Sequence, residues 1–237
     1  MRGMGARGNG IAENVAGIRE RIDRAAARAQ RQSESITLVA ISKGVPAARI
    51  RDAFVAGVRH FGESRVQEWE AKAPHLEDIE ATWHLVGHLQ RNKAARAVRL
   101  FHTVDSVDGL PLAERLDRAA GEGRRLPVLL EVRLDPGGAK TGCQPEDVPR
   151  VAEGLLLLPH LEWRGLMTVP PLAEDAEQAR RAFRRLRELR DELTERLDWA
   201  LPELSMGMSG DFEAAIEEGA TQVRVGTAIF GARDTAP

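Results

Sequence analysis

Strand-like and helix-like segments alternate along almost the whole chain, and this alternation restricts the fold more than any other feature. Strands are predicted where short apolar runs end in glycine or polar residues, and helices where apolar residues recur every three or four positions. The predicted strands span 37–42, 58–62, 82–86, 100–106, 127–134, 161–169, 203–207 and 221–226. The predicted helices between them lie near 47–57, 64–73, 89–98, 110–120, 145–157, 174–198 and 211–218.

Strict alternation implies parallel strands joined by helical crossovers, so the chain is predicted to be an α/β protein. Eight units of this size closed on themselves make a single (β/α)8 TIM-type barrel, and 237 residues suit one such barrel. An open, doubly wound sheet is the competing architecture, because alternation alone does not exclude it. We expect a flexible start over residues 1–10, then one barrel domain over 11–237 that begins with an extra N-terminal helix.

Bulk composition limits the functional classes. A formal net charge of −2 argues against non-specific nucleic-acid binding as the main role. Cys143 is the single cysteine, so no internal disulfide can form and a reducing cytoplasm is the expected location. The first ten residues do not resemble a secretory signal, and the longest purely apolar run, at 155–158, is far too short for a membrane span.

The first strand ends in a lysine: residues 36–46 read ITLVAISKGVP. Chemistry gathers at the carboxyl ends of the strands in both candidate architectures, so Lys43 is predicted to point into that mouth. A lysine near apolar walls has a lowered pKa, and a neutral amine can form a Schiff base with a carbonyl group. The alternative interpretation is an ordinary surface lysine in a loop.

The last two strands end in residues that suit an anion. Ser209 and Asp211 follow strand seven at the start of a helix, where backbone N–H groups lack helical partners. Gly226 and Thr227 follow strand eight and offer close backbone approach and a hydroxyl group. Phosphate sites of barrels are frequently built from these two loops. An aldehyde that carries a phosphate would bind both this cup and Lys43, and pyridoxal 5′-phosphate (PLP) fits that description.

Six segments, in order and at family-like spacing, resemble the pyridoxal phosphate homeostasis proteins, single-domain relatives of the alanine racemase barrel. They are LVAISKGVP, VRHFGESRVQE, WHLVGHLQRNK, HTVDS, GLMTV and LSMGMSGDFEAAIEEGATQVRVGTAIFGAR. The resemblance implies that Lys43 holds PLP as a Schiff base and that an arginine, Arg224, faces the pyridine nitrogen. It implies phosphate contacts from Ser209, Gly226 and Thr227, with Ser64 and Met208 also beside the cofactor.

Two segments depart from the family pattern. The family usually has an asparagine near the cofactor ring where this chain has Ser64. The family also tends to carry an asparagine and acidic residues in the stretch before Lys140, where this chain reads EVRLDPGGAK. We therefore assign no catalytic role to that loop.

The resemblance implies a PLP-binding protein of intracellular PLP homeostasis that lacks turnover, with PLP-dependent apo-enzymes as candidate recipients. The alternative is an amino-acid racemase, which needs a proton donor on each face of the substrate carbon. Alanine racemases supply the second donor as a tyrosine from a further domain of the partner subunit, and this chain contains no tyrosine. A monomer is therefore expected. A Schiff-base lyase or aldolase without a cofactor would use Lys43 but would leave the phosphate cup and Arg224 without a role.

Three other motifs are given structural interpretations. GGAKTG lacks the glycine that a Walker A loop has directly before its lysine, so nucleotide binding is not predicted there. His84 and His88 are four residues apart, as metal ligands on a helix would be, but they flank a strand end and are interpreted as core or pocket histidines. The six arginines of residues 179–190 are interpreted as the solvated face of an amphipathic helix. No metal, nucleic-acid or membrane partner is predicted.

Overall fold

A closed barrel of eight parallel strands, in sequential order, forms the centre of the molecule. The structure, a computed structural model, describes residues 9–134, 141–169 and 176–231. The barrel confirms the predicted architecture and excludes the open sheet, because the first strand pairs with the eighth. The strands are β1 (Thr37–Ile41), β2 (His60–Glu63), β3 (Thr82–Leu85), β4 (Thr103–Val107), β5 (Leu126–Glu131), β6 (Leu161–Met167), β7 (Glu203–Ser205) and β8 (Gln222–Val225).

Helices surround the barrel, and one precedes the first strand, as predicted. In the described part of the chain they are α1 (Asn9–Arg28), α2 (Ala47–Val55), α3 (Val66–Lys72), α4 (Ala94–Leu100), α5 (Leu110–Ala120), α6 (Val148–Leu156), α7 (Ala176–Leu197), α8 (Phe212–Glu217) and α9 (Thr227–Phe230). None of the described helices is both long enough and apolar enough to span a bilayer.

The extra helix α1 packs against α2, α8 and α9, next to the closure of the barrel. Arg21 and Arg28 form ion pairs of 2.7 Å with Glu213 and Glu217 of α8. The Asn14 side chain donates a hydrogen bond of 2.9 Å to the carbonyl oxygen of Ile229. These contacts tie α1 to the elements that follow β7 and β8, where the sequence predicts the phosphate cup.

The main apolar core lies between the strands and the helices. Alternate residues of a strand point to opposite faces, and one set packs outward against the helices. Phe61 and Trp83 belong to this set, and their rings stack with centroids 5.1 Å apart. Trp69 of α3 stacks on Trp83 at 3.8 Å, so the aromatic side chains join β2, β3 and α3 into one unit.

The opposite set of strand residues makes the barrel interior unusually polar. Barrel interiors are mostly filled by branched apolar side chains. Here His84, Asp105, Ser205 and Arg224 are buried on four different strands. Hydrogen bonds between side chains therefore supply part of the cohesion that apolar packing supplies in most barrels.

Most predicted elements differ from the observed ones by a few residues at their ends, and at the junction of α4 and β4 the predicted type of element is also wrong. Residues 100–106 were predicted as one strand, but α4 continues to Leu100 and β4 begins only at Thr103. The Leu100 carbonyl accepts a hydrogen bond of 2.8 Å from the indole N–H of Trp69, a tertiary contact that the local apolar pattern does not reveal. Residues 1–8 of the predicted flexible start lie outside the described residues, and so does the predicted helix start at 174–175. Residues 9 and 10 were also predicted to be flexible, but they already belong to α1.

Candidate functional site

Lys43 lies just beyond the carboxyl end of β1, in an exposed position. The chain turns there: Gly44 has a φ of 70°, and the Val45 N–H donates a hydrogen bond of 3.0 Å to the Ser42 carbonyl. A positive φ at this turn favours glycine. Lys43 stands two residues beyond the last residue of β1, Ile41. The structure therefore puts Lys43 at the mouth but leaves it exposed to solvent, where the sequence argument expected apolar walls.

The end of β8 lies directly beside the end of β1. Ala40 pairs with Val225, and a Cβ atom added to Gly226 would lie 3.4 Å from the carbonyl oxygen of Ile41. Gly226 thus lies within contact distance of the backbone two residues before Lys43. Closure of the barrel thus brings the glycine–threonine turn and Lys43 together at neighbouring strand ends.

Two hydroxyl groups meet beside this turn. Thr227 Oγ1 and Ser209 Oγ are 3.2 Å apart, although the two residues belong to loops after different strands. Ser209 is half-buried and Thr227 is exposed. The hydroxyl pair has the polarity and accessibility that an oxyanion requires.

The loop that carries Ser209 is held by Asp211 and by the backbone of Met208. The Met208 N–H donates a hydrogen bond of 2.5 Å to Asp211 Oδ1, and the N–H groups of Asp211 and Phe212 donate to the Met208 carbonyl. Asp211 stands at the cap position directly before α8, but its carboxylate accepts from the loop N–H of Met208 and not from the helix. Burial raises the pKa of Asp211, and the Met208 N–H opposes that shift. The half-buried Met208 is placed by these contacts between the strand end and Ser209.

Arg224 is buried within the barrel, and other strand ends hold its guanidinium group. Nη1 donates to Ser205 Oγ and Nη2 donates to the Thr168 carbonyl, each at 2.7 Å. Burial lowers the pKa of Arg224, and the charges of Asp105, Glu131 and Asp211 oppose that shift. An arginine keeps its charge under these conditions because its ordinary pKa is so high. Sequence reasoning did not find Ser205 or Thr168, since their role depends on how β6, β7 and β8 are arranged around the barrel.

Ser64 follows β2 and contacts the loop after β3. A Cβ atom added to Gly87 would lie 2.7 Å from the Cα atom of Ser64, so only glycine allows this approach. The contact holds the backbone of Ser64 against the loop after β3. The structure therefore brings all seven predicted site residues to the carboxyl end of the barrel, from β1, β2, β7 and β8.

Three other predicted interpretations concern side chains near the site. His84 contacts Asp105 and His60, whereas His88 lies 3.6 Å from Asp108, so the two histidines do not share a site. The described residues contain no group of three or more side chains suited to a metal ion. Burial raises the pKa of Cys143 to about 11, which is typical of an unreactive thiol. Lys140 and the two glycines of GGAK lie outside the described residues.

A hydrogen-bonded chain of His60, His84 and Asp105 crosses three strands below the mouth. His84 Nδ1 lies 2.8 Å from Asp105 Oδ2, and His84 Nε2 lies 3.0 Å from His60 Nδ1. Thr103 Oγ1 donates to the second oxygen of Asp105 at 2.8 Å. Burial, and after it the charge of His84, lower the pKa of His60 to about 4, although Asp105 opposes the shift.

The lowered pKa of His60 predicts a loss of stability in acid. Between pH 6.5 and about 4 the unfolded chain binds a proton at this imidazole and the folded chain does not, so stability falls as the pH is lowered through this window. Because His60 is only partly buried, screening limits the loss to about 1–2 kcal/mol. Urea unfolding across this range should show a steeper loss for the wild type than for His60→Gln. Equal slopes would contradict the assignment, and the comparison cancels the carboxyl groups that titrate in the same range.

The first comparison, with protein families, matches residues 14–234 to the alanine racemase N-terminal domain. Among curated proteins, the "Pyridoxal phosphate homeostasis protein" of Pseudomonas aeruginosa is 48% identical over 226 residues, which cover 94% of this chain and 96% of the relative. The proteins of the same name from Aquifex aeolicus and Escherichia coli K12 are 42% and 40% identical, and the matches cover 97% and 98% of their lengths.

Solved structures agree with these relatives. PipY of Synechococcus elongatus, determined with PLP bound, is 44% identical, with a TM-score of 0.84 and coverage of 93% of this chain and 100% of that chain. An alanine racemase of Clostridium difficile is 17% identical with a TM-score of 0.73, and the match covers 58% of that enzyme, so it shows the shared fold alone. The chain therefore belongs to the pyridoxal phosphate homeostasis protein family, on the barrel of the alanine racemase N-terminal domain.

Proposed function

We propose that this chain binds PLP as a Schiff base on Lys43 and serves intracellular PLP homeostasis in the cytoplasm, without catalytic turnover. One observation carries the proposal: the amine of Lys43 and the Ser209–Thr227 hydroxyl pair lie at strand ends that closure of the barrel makes neighbours. The relatives named for PLP homeostasis and the PLP-bound PipY structure support the same ligand.

The residues at the mouth fit the cofactor at both ends. Ser209 and Thr227 offer hydroxyl groups to a phosphate, and Gly226 leaves space for it beside the backbone. Lys43 offers an amine that can condense with the aldehyde, forming a C=N bond and releasing one water. Because Lys43 is exposed, the aldehyde could leave by the reverse reaction, as a carrier requires.

Arg224 gives a physical reason why the carbanion chemistry available to bound PLP would be restricted. If PLP binds with its pyridine nitrogen toward Arg224, as the family resemblance implies, this buried and permanently charged guanidinium would disfavour protonation of that nitrogen. When bound, PLP supplies an electron sink, and an unprotonated ring is the weaker form of that sink. Ser205 and Thr168 hold both terminal nitrogens of Arg224, so this side chain cannot readily turn away.

The direct test uses the wild-type protein and PLP. We expect the protein to turn yellow, with a visible absorbance band that borohydride bleaches and a reduced adduct that peptide mass spectrometry assigns to Lys43. A colourless protein that gains no adduct would refute the proposed function. Incubation with L-alanine or L-serine and chiral analysis tests the racemase alternative, and turnover above that of free PLP would replace the carrier function with an enzymatic one.

Removal of one phosphate-binding hydroxyl should weaken binding without abolishing it. We expect Ser209→Ala to raise the dissociation constant for PLP about tenfold, since hydrogen bonds to charged groups are worth about 1.5–3 kcal/mol. Equilibrium dialysis gives the constant. Ser33→Ala is the control, because Ser33 lies in the turn before β1, at the opposite end of the barrel. Unchanged affinity in Ser209→Ala would remove this hydroxyl from the site.

A further inference from the structure

A compact ion cluster of Glu63, Glu68 and Lys72 lies directly behind the turn that carries Lys43. The Lys72 ammonium contacts three oxygen atoms: the Ser42 carbonyl at 2.8 Å, Glu63 Oε1 at 3.0 Å and Glu68 Oε1 at 2.6 Å. An ammonium group has three N–H donors, so these contacts satisfy Lys72 completely. Its side chain is 15% exposed, and that of Glu63 is wholly buried.

The Glu63–Glu68–Lys72 cluster holds the backbone on both sides of Lys43. Before the lysine, the Ser42 carbonyl accepts from Lys72, and Ser42 Oγ donates to Glu63 Oε1 at 2.7 Å. After the lysine, the Gly44 N–H donates to Glu68 Oε1 at 2.5 Å. Residues 42 and 44 are therefore both attached to one set of charges, which is wholly buried at Glu63 and partly exposed at Glu68.

Stability alone explains this cluster poorly. Taking a carboxylate and an ammonium out of water costs several kcal/mol per ion, and buried ion pairs often add no net stability. Glu63 Oε2 is buried and has no hydrogen-bond partner among the described residues, which adds to the cost. Burial raises the pKa of Glu63, although Lys72 and Ser42 oppose the shift. Such a cost is expected where geometry matters for function.

We propose that Glu63, Glu68 and Lys72 are positioning residues that clamp the backbone around Lys43 and direct its amine to the cofactor aldehyde. The inference deepens the proposed function and rests on it. A lysine side chain is long and flexible, so its amine can reach many positions. Fixing the Cα atom of Lys43 limits these positions to those near the cofactor aldehyde. The cluster fixes that atom through its two neighbours, without contacting the cofactor.

Glu68→Ala tests the clamp with the least damage, because Glu68 is 28% exposed and its removal leaves the Lys72–Glu63 pair in place. Glu70→Ala is the matched control, since Glu70 lies on the same helix and pairs with Arg96 away from the turn. Lys72→Met is the second variant. Thermal unfolding of all three proteins checks that they are folded before any binding measurement.

The first measurement needs no cofactor. Amide hydrogen exchange of the peptide containing Gly44 should be about tenfold faster in Glu68→Ala than in the wild type, because the amide loses a charged acceptor. Glu70→Ala should exchange at the wild-type rate. Equal protection of this peptide in the wild type, Glu68→Ala and Glu70→Ala would overturn the clamp, whatever the outcome with PLP.

The second measurement separates positioning from general damage. We expect the rate constant for Schiff-base formation with PLP to fall about 10- to 100-fold in Glu68→Ala and Lys72→Met, as misplacement of a reacting group does. Affinity for pyridoxamine 5′-phosphate, which has the phosphate and ring but no aldehyde, should stay within about twofold because the phosphate cup is intact. A wild-type rate in the folded variants would overturn the inference, and so would an equal loss of affinity for both ligands. A wild-type protein that forms no Schiff base would instead refute the proposed function.

Discussion

Replacement of Lys43 by alanine is expected to abolish the covalent adduct with PLP completely, because the proposal assigns the Schiff base to this amine alone. The Lys72 ammonium lies behind the turn, where three oxygen acceptors already hold it. The absorbance band that borohydride bleaches should disappear, and no reduced adduct should be found in the digested protein. Binding of PLP by the phosphate cup alone should remain, since Ser209, Thr227 and Arg224 lie on other strands. The affinity should fall by about 10- to 1,000-fold, depending on how much free energy the C=N bond contributed.

Two further variants test whether the adduct requires the amine of Lys43 or only a positive charge, and whether another lysine can replace it. Lys43→Arg keeps a cation at the mouth but offers no amine, so it should also form no adduct. Lys93→Ala removes a lysine from the turn before α4 and should bind as the wild type does. An adduct of wild-type yield on Lys72 or Lys93 in the Lys43→Ala protein would show that Lys43 is not the specific site.

Substitution of Gly165 by alanine is expected to be the most damaging single change to stability. Gly165 pairs with Glu203 across β6 and β7, and an added Cβ atom would lie 2.7 Å from the carbonyl carbon of Glu203 and closer still to its oxygen. Neither backbone can move without disturbing the closed sheet, so we expect a loss of about 3 kcal/mol or more. Urea unfolding at neutral pH measures the change.

The matched control, Gly17→Ala, is expected to change the free energy of unfolding in the opposite direction. Gly17 lies inside α1, and a Cβ atom added there would have no neighbour within 4 Å. Alanine is the better helix former, so Gly17→Ala should raise the free energy of unfolding by about 0.5–1 kcal/mol. If both substitutions changed stability in the same direction, the packing argument at Gly165 would be wrong.

Most of the fold could be predicted because its signals are local. Buried strands appear as short apolar runs, and helices show an apolar residue every three or four positions, so each unit is visible without its neighbours. The prediction fails where a contact with a residue distant in the sequence determines the local structure. Leu100 was predicted within a strand but belongs to a helix, where its carbonyl accepts from Trp69, a residue thirty-one positions away.

The site could be predicted only in part, for the same reason. Lys43, Ser209, Gly226 and Thr227 each follow a strand directly, and the carboxyl ends of parallel strands share one face. The residues that hold these site residues in place cannot be recognised from their position along the sequence. Glu63 reads as part of a strand end and Lys72 as an ordinary helical lysine, and their joint contact with Ser42 depends on how α3 packs behind β1 and β2.

The amino-acid sequence by itself determined the class of the protein: eight alternating units, an amine after the first strand and, after the last two strands, residues that we predict to bind an anion. Tertiary structure alone decided the closure that makes β1 and β8 neighbours, the polar interior that holds Arg224, and the ion cluster behind Lys43. The physical reason is the distance along the sequence over which each effect acts. Propensity and periodicity act over a few residues, whereas closure requires all eight strands in register, and buried charges find partners only after the chain has closed around them.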